Sequence, residues 1–136
     1  MGNPNLGEKE IILGGKKYIL KMNFAALSET ENRASVGSHA LAQRLARGIS
    51  GIQDITSIIY GGLVGKAGPD NDPPLSYEEV GELIFKDGQI VHLPLAKNLL
   101  TFGMTGKWEE EWEEEKNNSL KKKSKSPDSK GLDSIN

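Results

Sequence analysis

The chain has no cysteine among its 136 residues. That excludes disulfides, thiolate metal sites and cysteine nucleophiles. Aromatic residues are also scarce, at 6%, within an apolar fraction of 36%, so any core must be modest and mainly aliphatic. The two histidines, His39 and His92, stand far apart and in no metal-ligand spacing such as H-x3-H or HExxH. Each reads as an ordinary surface or helix-terminal residue. Long apolar runs are missing too: Ile58–Tyr60 and Leu93–Ala96 fall far short of the roughly 20 residues that a membrane span needs. Met1–Glu10 has no basic stretch followed by an apolar run, as a signal peptide would. The expectation is a soluble protein that stays in the cytoplasm where it is made. Neither sign of charge dominates, with Lys+Arg 17 against Asp+Glu 19 and a formal net charge of −2. This balance gives no general pull towards nucleic acid or an anionic membrane.

What the chain does have changes character near Gly103. Before it, apolar residues recur with clear periodicity. After it come Trp108-Glu-Glu-Glu-Trp112-Glu-Glu-Glu115 and a lysine cluster, Lys121–Lys125. The pattern predicts a folded domain over 8–103 and a charged tail over 104–136, with a short helix at 107–116 and disorder beyond it.

The domain opens on a hairpin signal. Glu8–Leu13 and Lys16–Met22 flank Gly14-Gly15, a pair that readily takes the positive φ angles of a type I′ turn. Ile11 then sits opposite Tyr18. Alternation along each strand places Ile11, Leu13, Tyr18, Leu20 and Met22 on one face. A lone hairpin is marginal, so this face should pack on helices.

Helical signals follow. Asn23 can cap a helix to about Arg33, with Phe24 and Leu27 on its apolar side. Ser38 is placed to cap a second helix that ends at Gly48. A third, from about Gln53, carries Ile55, Ile58, Ile59 and Leu63. Its Gly61-Gly62 costs roughly 1 kcal/mol per glycine relative to alanine, a cost ordinarily explained by close backbone packing. Ser76-Tyr-Glu-Glu79 matches a capping box ahead of Val80, Leu83 and Ile84. Pro94 fits the first turn of a last core helix bearing Leu95, Leu99 and Phe102, with Gly103 as its stop. The fold class is therefore α+β, mainly α: a hairpin packed on about five short helices, with a partly disordered tail.

No catalytic pattern stands out. Gly61-Gly-Leu-Val-Gly65-Lys66 lacks the full phosphate-loop pattern and lies in a helical stretch. Glu78-Glu79 belongs to a helix first turn, where negative charge favours the dipole. No nucleophile-elbow pattern marks a serine. The reading is a non-enzymatic interaction protein with no metal and no cofactor. Its candidate partner-binding residues are Trp108, Trp112 and Phe102. The two tryptophans share a helix face, and tryptophan is a frequent anchor at interfaces; the same spacing also suits a segment folded back on its own domain.

The order of elements carries a resemblance. Glu10-Ile-Ile-Leu-Gly-Gly-Lys-Lys-Tyr-Ile-Leu-Lys-Met-Asn-Phe-Ala-Ala-Leu27, then Leu45-Ala-Arg-Gly48, Asp54-Ile through Tyr60-Gly-Gly-Leu63, and Leu75-Ser-Tyr-Glu-Glu-Val-Gly-Glu-Leu-Ile84 resemble the tail assembly chaperones of tailed phages and gene transfer agents. The resemblance spans roughly Glu8 to Gly103. Ile12 and Ile19 depart from it, and so does the tail. It implies a non-catalytic protein of the bacterial host cytoplasm that binds the tape measure protein, helps recruit tail tube subunits and is absent from the finished particle. Two other readings stay open: a minor structural tail protein retained in particles, or a small nucleic-acid-binding or regulatory protein using Arg33, Arg44, Arg47 and the basic tail.

Overall fold

A computed structural model of the chain describes residues 2–125, with side chains through residue 119. Strands β1 (Glu8–Leu13) and β2 (Lys16–Lys21) pair antiparallel with Ile11 opposite Tyr18, as the Gly-Gly turn requires. Gly14 and Gly15 sit at φ +58° and +82°, the two positive values of a type I′ turn. Ile11, Leu13 and Leu20 are buried on the inner face, while Ile12 on the outer face is exposed. A short 3-10 turn, Pro4–Leu6, precedes the hairpin.

Six helices follow: α1 (Phe24–Ala34), α2 (Ser38–Ala46), α3 (Ile52–Ala67), α4 (Tyr77–Asp87), α5 (Gln89–Thr105) and α6 (Glu109–Lys125). The mainly helical class and the hairpin packed on helices are both present. Helix α3 is the centre, touching α1, β2, α4 and α5. Ile55, Ile58, Ile59 and Leu63 are at most 1% exposed, and each such side chain stabilises the fold by roughly 1.5–3 kcal/mol. Polar residues tolerate the same burial because they bond back along their helices. Thr56 and Ser57 donate to the carbonyls of Ile52 and Gln53, and Thr30 of α1 donates to Ala26.

The glycines of α3 are packing devices. A Cβ at Gly61 would lie 2.3 Å from Thr30 Oγ1, and one at Gly65 would lie 2.3 Å from the Lys21 carbonyl oxygen. Only glycine lets α1 and β2 approach this closely, so the helix accepts the intrinsic cost of glycine.

Several local expectations are corrected. Phe24 begins α1 as foreseen, with Asn23 Oδ1 accepting the Ala26 N–H at 2.9 Å. Its ring, however, is 86% exposed; the buried residues of α1 are Ala26 and Thr30, small enough for the close approach to α3. Ser38 is not the cap of α2. It lies inside the first turn, and its N–H and hydroxyl both donate to Glu31 Oε2 at 2.7 Å. Gly48 does take the left-handed conformation, at φ +71°. Ile49 N–H donates to Arg44 and Gly48 N–H to Leu45, which closes the helix end. The Ser76–Glu79 capping box forms reciprocally, at 2.8 and 3.1 Å.

Pro94 lies inside α5 rather than at its start, because Gly88 ends α4 and also opens α5. Gly103 does not stop that helix. A Cβ there would press on Met22 and Leu27 at 3.0–3.2 Å, so it too is a packing glycine. The helix ends at Gly106, φ +78°. Helix α6 extends through Lys125, well past the short helix expected over 107–116. The disorder expected after 116 is therefore replaced by helix up to Lys125, and residues 126–136 lie outside the described ones.

Candidate interaction surfaces

Phe102, Trp108 and Trp112 occupy three different environments. Trp108 is 8% exposed and belongs to the core cluster. Its ring lies 4.3 Å from that of Phe102, its indole N–H donates to the Pro4 carbonyl at 3.1 Å, and Lys9 Nζ sits 4.6 Å above it. Phe102, half-buried, also bears on Gly7, where a Cβ would lie 2.9 Å from the ring. The Trp108 segment thus folds back on its own domain. It ties the chain before β1 to the end of α5. Glu109 N–H adds a bond to Asn98 Oδ1 at 2.8 Å. Trp112, one helical turn on, is half-buried and lines a hollow of about 230 Å³ with Ala42, Leu45 and Leu100.

A second surface lies between α3 and α4. Ile52, Gln53 and Thr56 form one wall; Tyr77, Gly81 and Phe85 form the other, enclosing about 590 Å³. Glu78, Glu82 and Lys86 complete the lining. Phe85 is 74% exposed, and just beyond it Ile90 and Val91 are exposed as well. Three large apolar side chains within one helix-turn-helix corner is more than scattered surface apolarity. Sequence periodicity missed this surface because Phe85 directly follows the core residue Ile84 and reads as an extension of the apolar face.

The same corner carries a polar lock. Gly14 N–H of the hairpin turn donates to Asp87 Oδ2 at 3.0 Å, and His92 Nε2 donates to the same oxygen at 2.8 Å. These two donors hold the Asp87 carboxyl below its usual range, the backbone N–H being the larger cause. His92 is 5% exposed and stands in the first turn of α5, so of the two expected placements the helix-terminal one holds and the surface one does not. His39 is exposed as foreseen.

Two of the arginines in the nucleic-acid reading are engaged within the chain. Arg33 bonds Glu29 at 2.8 Å and lies over the rings of Tyr60 and Tyr77 at 5.0 and 4.7 Å. Arg44 bonds Asp54 at 2.9 Å and so ties α2 to the first turn of α3. Arg47 is exposed. Among the described residues no group of three or more His, Asp or Glu side chains could hold a metal ion, and no helix is long and apolar enough to cross a membrane.

The fold is a small helical domain that a hairpin closes on one side and that exposes apolar side chains at its α4–α5 corner. The model of the family described as "Phage tail tube protein, GTA-gp10" matches residues 6–106, and the chain belongs to that family. The match covers the hairpin and α1 through α5 and ends just before Trp108. The association with phage and gene-transfer-agent tails therefore stands. The expectation of an assembly chaperone absent from the finished particle is corrected, because the family is described as a tube protein, a structural part of the tail. Comparisons with curated proteins and with solved structures return no match.

Proposed function

We propose that this chain is a structural protein of a phage-like tail and works by binding other tail proteins without catalysing a reaction. The observation that carries this reading is the family match over 6–106. The α3–α4 cleft and the exposed Phe85, Ile90 and Val91 support it, because a tail subunit must present apolar surface to its neighbours. Neighbouring tail subunits are its first partners, with the tape measure protein as a second.

The test is a tagged full-length chain expressed in cells that are making tails, followed by capture of whatever tail subunits it holds. The wild-type chain brings them down. Phe85→Asp, which alters an exposed ring and leaves the core intact, lowers their recovery at least tenfold, the ratio that about 1.4 kcal/mol of lost affinity produces. Recovery of no tail subunit by the wild-type chain would contradict the proposal.

A further inference from the structure

We propose that the α3–α4 cleft seats an amphipathic helix of a partner protein, laid along α4 with its backbone over Gly81 and with lysine or arginine beside Glu78 and Glu82. This builds on the reading of the cleft as the surface that binds other tail proteins, and adds the shape and charge of what it binds.

Helix α4 carries three features that cost the free domain something and return it nothing. Gly81 lies in the middle of the helix, where glycine is the poorest residue short of proline. Gly61, Gly65 and Gly103 have a packing reason, since a Cβ on any of them would meet a neighbouring atom at 3.0 Å or closer. A Cβ on Gly81 would meet Thr56 at 3.5 and 3.7 Å, which is ordinary contact, so the domain has room for alanine there. Glu78 and Glu82 stand one turn apart on the exposed side of α4, where like charges repel. Among the described residues neither has an ion-pair partner. The ring of Phe85, a further turn along, is 74% exposed. Local costs of this kind collect where a surface is shaped for a ligand.

The shape points to a helix. Along α4 the cleft takes in three successive turns, at Tyr77 and Glu78, Gly81 and Glu82, then Phe85 and Lys86. That is a run of about 14 Å at the helical rise of roughly 1.5 Å per residue. Thr56, across from Gly81, donates its hydroxyl to the Ile52 carbonyl at 2.7 Å and leaves its methyl nearest the glycine. The trough is therefore apolar and lowest at its middle, with a large ring at each end. A helix fits it, with its backbone closest where the glycine has no side chain.

The charge points to a basic flank. Glu78 and Glu82 are exposed along the rim, and Lys86 stands at its far end. Arg33, over the ring of Tyr77, is already matched by Glu29. The rim is acidic over its first two turns, and lysine or arginine beside an apolar stripe complements it.

The test is fluorescence anisotropy of the full chain with a labelled synthetic helix of about five turns. The peptide carries a leucine stripe interrupted by one central alanine and flanked by lysine. It should bind at least about tenfold tighter than the same peptide with glutamate for lysine, and than a scrambled peptide of equal composition. Glu78→Lys/Glu82→Lys should reverse the preference between the two charged peptides. Gly81→Leu fills the middle of the trough and should weaken binding at least about tenfold, with circular dichroism confirming the fold. Gly81→Ala should raise the melting temperature of the free chain by about 3 °C and still weaken the peptide. Equal binding of all three peptides, no binding, or Gly81 variants that bind as wild type would overturn the proposal. So would a Gly81→Ala chain that melts lower, since the glycine would then serve the domain's own packing. Capture of tail subunits without peptide binding sinks the helix seat alone, whereas peptide binding with no tail subunit captured sinks the tail reading and leaves the seat standing.

Discussion

Helices α3 and α6 are nearly equal in length, 16 and 17 residues, and are built on opposite principles. Helix α3 contains Gly61, Gly62 and Gly65 and two β-branched isoleucines in a row, a poor helix by intrinsic propensity. It exists because almost every face of it is buried against α1, β2, α4 or α5. Helix α6 carries glutamate first and lysine last, the order the dipole favours, and is exposed along most of its described length. The first helix is made by its surroundings and the second by its own charges. Trp108 stands between the two regimes, the last side chain to enter the core before the charged helix begins.

The largest way to break this contrast is a cavity in α3. Leu63→Ala should cost about 3 kcal/mol in urea unfolding, as buried leucine truncations do. The matched change Glu113→Ala in α6 should move the midpoint by no more than about 0.5 kcal/mol. Trp108→Ala comes next, at about 2–3 kcal/mol, because it removes the Phe102 stack and the Pro4 bond at the edge of the core. It should also lower the helical circular dichroism signal as α6 loses its anchor.

Gly65→Ala inverts the ordinary propensity rule. Alanine favours a helix by about 1 kcal/mol over glycine, yet its Cβ would collide with the Lys21 carbonyl and with Asn23 Oδ1. The expected net effect is a loss of about 2 kcal/mol in thermal unfolding, whereas Asn118→Gly in α6 leaves the domain midpoint in place.

The smallest effect is electrostatic. The folded Asp87 carboxyl titrates below its unfolded value of about 4. Its stabilisation is therefore complete above that value and is lost as pH falls through the folded pKa. Asp87→Ala should cost about 1 kcal/mol at pH 7, with the difference from wild type closing as pH drops below about 4. Unfolding curves at several pH values check the sign.

How far the sequence disclosed this depends on whether a signal is local. The Gly-Gly turn set the hairpin register. Ser76 and Glu79 announced their capping box, and the isoleucines of α3 announced its face, because each signal lies within a few residues of what it specifies. Phe24, Gly103 and Pro94 misled for the opposite reason. An apolar residue at helical spacing is core only if something covers it, and α1 packs through Ala26 and Thr30 instead. A glycine near a helix end can stop the helix or admit a neighbour, and at Gly103 the neighbours are Met22 and Leu27, distant in sequence. Pro94 looked like a helix start because nothing local showed α5 beginning directly after Gly88. Of the candidate site, Trp108 and Trp112 were visible by composition. The α3–α4 cleft was hidden, because its lining comes from two segments separated by a long loop.

The most direct test of the central claim is quantitative mass spectrometry of purified tails from cells that make them. A structural tail protein remains with the particle through density-gradient purification, in constant ratio to the other tail subunits. Abundance in the lysate with complete loss from purified, intact tails would contradict the account.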